Sequence, residues 1–118
     1  MLELSEISLL TNDVPRLADF YKALLGVDNH SQDPVHQFIL EGPVSLTVYN
    51  DGSPKNNQNE NVTLVFTVDD MDAAYEKVLA LGAPVLESPT KRPWGAVNMS
   101  FRDPDGNVVY LRSFPQNS

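Results

Sequence analysis

The chain has 118 residues, a net charge of −8, two histidines and no cysteine. That length suits one domain with its own core, and the lack of cysteine excludes disulfides, thiolate zinc sites and a cysteine nucleophile. Eight Lys and Arg scattered along an acidic chain argue against a nucleic-acid partner, and with no long apolar run or signal-peptide pattern the expectation is no membrane and a cytoplasmic location.

Residues 4–11 alternate loosely between apolar and polar, as a half-buried strand does. Asn12-Asp13 supplies a capping side chain and Pro15 stands in the first turn, both helix-start signals. Leu17, Phe20, Tyr21, Leu24 and Leu25 follow at helical spacing and make one apolar face, which Gly26 ends. Residues 27–34 are polar and irregular, with room for one short strand. Strands are expected at Phe38-Ile39-Leu40 and from Val44 to Tyr49, joined at Glu41-Gly42-Pro43. Asp51 to Glu60 contains no large apolar side chain, which is linker composition.

The pattern then starts again. Val62 to Val68 reads as a strand, Asp69-Asp70 as a cap, and Met71, Ala74, Tyr75, Val78 and Leu79 as the apolar face of a helix that Gly82 stops. Three more strands are expected at Pro84-Val85-Leu86, Val97 to Arg102 and Val108 to Ser113. The last two are joined by Asp103-Pro104-Asp105-Gly106-Asn107, a dense turn signal. Superposing Asp13 on Asp70 brings strand onto strand and helix onto helix. The chain thus reads as an internal duplication about 57 residues long. Module one covers about 1–50, the linker 51–60 and module two about 61–118.

In order and spacing these pieces resemble the vicinal oxygen chelate superfamily, the glyoxalase, bleomycin resistance protein and dioxygenase family. The likeness rests on Asp13 through Phe20-Tyr21-Lys22-Ala23-Leu24-Leu25-Gly26, and on Val68-Asp69-Asp70-Met71-Asp72-Ala73-Ala74 through Leu81-Gly82-Ala83. Pro93-Trp94-Gly95 and the Asp-Pro-Asp-Gly-Asn loop add to it. It implies an α+β fold of two tandem βαβββ modules, with a mixed sheet curled around a cleft, helices outside, and often a homodimer. In metal-using members, two His or Gln on the first strands and two carboxylates on the last strands hold one divalent ion. The matching positions here are Glu6, Thr63, Tyr110 and the region of Leu46 and Thr47. Only Glu6 is an ordinary hard-cation ligand, and His30 and His36 fall on none of these positions. No cofactor is therefore expected, with a divalent metal held unconventionally as the alternative.

Alternate residues of a strand face opposite sides of its sheet. One parity collects Ile7, Leu9, Leu64, Phe66, Val68, Met99, Phe101, Val109 and Leu111, the helix-facing set. The other collects Glu6, Ser8, Thr63, Thr67, Asn98, Ser100, Arg102, Tyr110 and Arg112, a mixed polar face suited to a ligand cleft. The expected function is binding of a small organic ligand there, similar to the bleomycin-resistance branch, which sequesters drugs. Glu6, Thr63, Trp94, Arg102, Tyr110 and Arg112 are the candidate contacts. Trp94 offers an indole face, and Tyr49 and His36 offer further walls. One alternative is a glyoxalase- or dioxygenase-type enzyme, a lyase or oxygenase, with an unconventional metal site or with Glu6 as a metal-free base and Tyr110 as donor. A further alternative is an interaction domain whose cleft is only a dimer interface. The plainer readings pair Glu6 with Arg102 or Arg112, and set Trp94 over the core edge or a dimer seam.

Overall fold

The computed structural model describes residues 2–55 and 61–114. The chain divides into two compact units, residues 1–57 and 58–118. The first runs β1 (Glu6–Leu10), α1 (Val14–Leu25), β2 (His36–Leu40) and β3 (Ser45–Tyr49). The second runs β4 (Leu64–Thr67), α2 (Met71–Ala80), β5 (Val85–Lys91), β6 (Val97–Arg102) and β7 (Val108–Ser113). The fold is α+β: each unit is one helix on one mixed sheet.

In the first unit the strand order is β1-β3-β2, with β1 parallel and β2 antiparallel to the central β3. The helix begins where the sequence places it. Asp13 caps it by accepting from the Arg16 amide at 3.2 Å, and Pro15 stands in its first turn. Gly26 ends it at φ 66°, a left-handed conformation that glycine adopts without steric cost. Val14, Leu17, Ala18, Tyr21 and Leu24 form its buried face against β2 and β3, where Ile39, Leu46 and Val48 receive it.

The second unit repeats the arrangement and adds a strand, in the order β4-β7-β6-β5. Asp70 caps α2 by accepting from the Ala73 amide at 3.1 Å. This helix buries less than its twin. Met71 and Val78 are buried, whereas Leu79, expected on its apolar face, is 46% exposed. Met99, Phe101, Val109 and Leu111 make the core of this sheet.

Several expectations need correction. Strand bounds from the sequence run one to two residues long at each end of β1 and β4, where single backbone bonds such as Thr11 N–H to the Tyr49 carbonyl and Val68 N–H to the Arg112 carbonyl extend the contact without continuing the strand. Where Pro84-Val85-Leu86 was the expected strand, β5 continues to Lys91 across Pro89. Pro lacks an amide donor, and β5 accommodates it as an edge strand whose register to β6 shifts twice between Val85 and Thr90.

In the first unit, residues 27–34 contain no strand, so β2 has no counterpart of β5 beside it. Local side chains take the backbone instead. Asn29 Oδ1 accepts from the Ser31 amide, Ser31 Oγ from Asp33, and Asp33 Oδ1 from Val35 and His36. Such short-range bonds compete directly with a ladder. Asn29 Nδ2 then donates to the Phe38 carbonyl at 3.0 Å, on the edge where a fourth strand would pair.

The expected linker, 51–60, is anchored at its start. Lys55 bonds Asp51 at 2.8 Å, and Asn12 holds the Lys55 backbone through both its amide nitrogen and its carbonyl oxygen. Residues 56–60 lie outside those described.

Candidate functional site

The sheet faces turned away from α1 and α2 are sorted by register. In the first unit Glu6 pairs with Ser45, Ser8 with Thr47 and Leu10 with Tyr49. Across β3, Tyr49 faces His36 and Thr47 faces Phe38. Glu6, Ser8, Thr47, Tyr49, His36 and Phe38 therefore stand on one face, while Leu46 lies on the other and belongs to the core. Of the two residues in the family's fourth ligand region, Thr47 is the one on the polar side.

Thr47 is fully buried and sits at the centre of a small hydroxyl chain. Its Oγ1 is 2.9 Å from Ser8 Oγ and 3.3 Å from Glu6 Oε2. A carboxylate only accepts, so Thr47 donates when it bonds Glu6, leaving Ser8 to donate to Thr47. Beside this chain lies an aromatic cluster. The His36 ring is 4.9 Å from Phe38 and 5.3 Å from Tyr49 between centroids. Phe38 and Tyr49 are 42% and 37% exposed, so the cluster presents flat apolar surface. An open groove of about 520 Å³ runs along β2, bordered by His36 and Phe38 on one side and by Val27, Asn29 and Ser31 on the other.

In the second unit Val65 pairs with Tyr110, Thr67 with Arg112, Ser100 with Tyr110 and Asn98 with Arg112. The polar parity of the sequence is thus one physical face. Thr63 precedes β4 and is exposed. Arg102 donates from Nη1 to the Gly106 carbonyl at 2.8 Å and so braces the loop between β6 and β7. The Arg112 guanidinium lies 5.9 Å from the centre of the Phe114 ring, at the outer range of a cation–π contact. Trp94 projects from the turn between β5 and β6, where Gly95 stands at φ 100°, and is 70% exposed. It does not cover the core of its unit.

The β6–β7 turn itself is built by Asp103, which is 3% exposed. Its Oδ1 accepts from the amides of Asp105 and Asn107, and its Oδ2 from Asn107 Nδ2, each at 2.9 Å.

Of the positions that the family resemblance implies for a metal, Glu6 and Thr47 stand in the first unit and Thr63 and Tyr110 in the second. They comprise one carboxylate, two alcohols and a phenol, and the Thr47 hydroxyl is already engaged. A divalent transition metal needs several carboxylate, imidazole or thiolate donors, so this set does not fit it. Among the described residues, no three His, Asp or Glu gather closely enough to hold an ion elsewhere.

The sequence allows His36 to face the cleft next to Phe38, but it leaves open which polar side chains touch and does not set Tyr49 against His36. Both depend on cross-strand register, which only pairing partners define.

Two mixed sheets, each carrying one helix, in a βαββ and then a βαβββ order, define the class of protein. The chain belongs to the Glyoxalase/Bleomycin resistance protein/Dioxygenase superfamily, whose sequence profile matches residues 3–111. It is 24% identical to the uncharacterized protein YetH of Bacillus subtilis over 93% of this chain and 97% of that one. Among solved structures it is similar to a glyoxalase/bleomycin resistance protein/dioxygenase family enzyme from Burkholderia phytofirmans. That likeness has a TM-score of 0.81 at 17% identity, over 97% of this chain and 100% of the other. A lactoylglutathione lyase from Agrobacterium tumefaciens is similar with a TM-score of 0.69 at 22% identity, over 92% and 91% of the two chains. No helix among the described residues is long and apolar enough to cross a membrane.

Proposed function

We propose that this protein binds a small, planar organic molecule against the polar sheet faces, without the family's metal and without converting the ligand. The observation that carries this reading is the exposed cluster of His36, Phe38 and Tyr49 next to the Glu6–Thr47–Ser8 chain. Flat rings supply stacking area, and the neighbouring carboxylate and hydroxyls fix orientation, the usual division of labour in a ligand site. In the second unit, taken by itself, Thr63, Arg102, Tyr110 and Arg112 are candidate contacts on its polar face, and Trp94 is a stacking surface at its turn. The same reading takes the protein to be cytoplasmic and a homodimer.

Two measurements test it together. Metal analysis of chelator-free protein, with thermal-shift titrations of Ni, Zn, Mn and Fe(II), should give no stoichiometric metal and no saturable rise in Tm. A screen of planar drugs and metabolites should give saturable stabilisation that is lost in Tyr49→Ala. Stoichiometric metal together with turnover of a screened compound would place a glyoxalase- or dioxygenase-type reaction first. A stable dimer that binds no compound would place an interaction role first.

A further inference from the structure

The second unit carries an unmet hydrogen-bonding need at one spot on its polar face. Arg112 on β7 and Asn98 on β6 are register partners in an antiparallel pair, so their side chains stand side by side. The Arg112 Nε and the Asn98 Oδ1 are both buried, and neither has a hydrogen-bond partner among the described residues. One is a charged donor and the other an acceptor. A buried polar group left unpaired is destabilising, the more so when it is charged. Most such groups in native proteins have a partner, so two on adjacent strands mark a place where one is missing.

The charge around the pair narrows the chemistry. The face holds two guanidinium groups, and Arg102 spends part of its own on the Gly106 carbonyl. Glu87 on β5, the register partner of Ser100, is ion-paired with Arg92. Arg112 stands between Thr67 on β4 and Asn98 on β6 in register, and its guanidinium lies near the Phe114 ring, which attracts a cation without accepting from Nε–H in its plane. Both Arg112 and Asn98 remain partly exposed, which gives a small molecule a way in.

We propose that the ligand is a small carboxylate bearing an N–H or O–H donor on the carbon next to the acid group. Its carboxylate sits on Arg112 and its donor on Asn98. This rests on the ligand-binding reading above and names the class of ligand that the second unit's polar face selects. A carboxylate meets the guanidinium with a charge-assisted bond, and the adjacent donor satisfies Asn98 Oδ1, which would otherwise face a second acceptor.

The test uses three probes that differ by one group. Hippurate has the acid and an adjacent N–H, β-benzoylpropionate replaces that N–H by a methylene, and hippurate methyl ester removes the charge. Proton–nitrogen correlation spectra of the full chain would follow the Arg112 Nε–H. Hippurate should shift this resonance saturably and bind about three- to tenfold tighter than β-benzoylpropionate, the difference of one hydrogen bond. The ester should bind weakest. In Asn98→Leu the two acids should become equal, and if that variant does not fold, the wild-type comparison of the acids still decides. Equal binding of the two acids by the wild type, or no movement of Nε–H at tens of millimolar probe, would overturn the proposal. Neutral planar compounds that still bind through Tyr49 would leave the ligand-binding reading intact, whereas a failure of every compound would remove both.

Discussion

The phenol ring of Tyr49 stands 5.3 Å from the imidazole of His36, tilted 70° to it, across the β2–β3 ladder. Neither ring belongs to the core that α1 covers, so the pair costs little to disturb and much to lose if it stacks a ligand. Tyr49→Ala and His36→Ala should each weaken a planar ligand about three- to tenfold, from the roughly 0.5–1.5 kcal/mol that an aromatic pair contributes beyond its area. Isothermal titration would read this loss, and Tm should fall only slightly. A large drop in Tm with unchanged affinity would make the cluster structural.

Asp103 organises the β6–β7 turn through three hydrogen bonds to Asp105 and Asn107. Asp103→Ala leaves those donors without their acceptor in a nearly buried place and should destabilise the protein by about 2–3 kcal/mol. Asp103→Asn keeps one acceptor oxygen and should cost distinctly less. Urea unfolding of the two variants checks the order, and equal losses would show that volume rather than hydrogen bonding holds the turn.

Asp33 is held below the usual carboxylate range, chiefly because its carboxylate accepts from the Val35 amide and then from the His36 amide. A carboxyl group whose folded pKa is depressed contributes order above its unfolded pKa and loses it as pH falls through the lower folded value. The turn entering β2 should therefore stay intact through mildly acidic pH and loosen only below the ordinary aspartate range. The amide resonances of Val35 and His36 should report that titration, and in Asp33→Asn they should be flat over the same window. A titration at the ordinary aspartate pH would mean that these bonds do not form in solution.

Most of the helix geometry is written in short-range chemistry. Asp13 and Asp70 cap, Gly26 adopts the left-handed turn, and apolar residues recur at 3.6-residue spacing, all interactions within a few positions along the chain. The hairpin strands β6 and β7 are as legible, because a dense turn motif joins two alternating runs and sets their register. The same alternation sorts Glu6, Arg102, Tyr110 and Arg112 onto the polar faces, and it is the family resemblance that aligns Thr63 and Tyr110 with metal positions.

What only the tertiary structure decides is everything that depends on pairing between distant strands. The edge strand β5 outlasts its expected end because β6 supplies partners as far as Lys91. Residues 27–34 stay irregular because Asn29, Ser31 and Asp33 bond their own neighbours in place of a ladder. Register then chooses Thr47 over Leu46 for the polar face, puts Phe38 and Tyr49 on either side of His36, and sets Asn98 beside Arg112. A strand's own sequence determines which side chains share a face, since alternation is local. Which of them meet depends on the partner strand, and a one-residue slip in pairing would change every contact across the ladder.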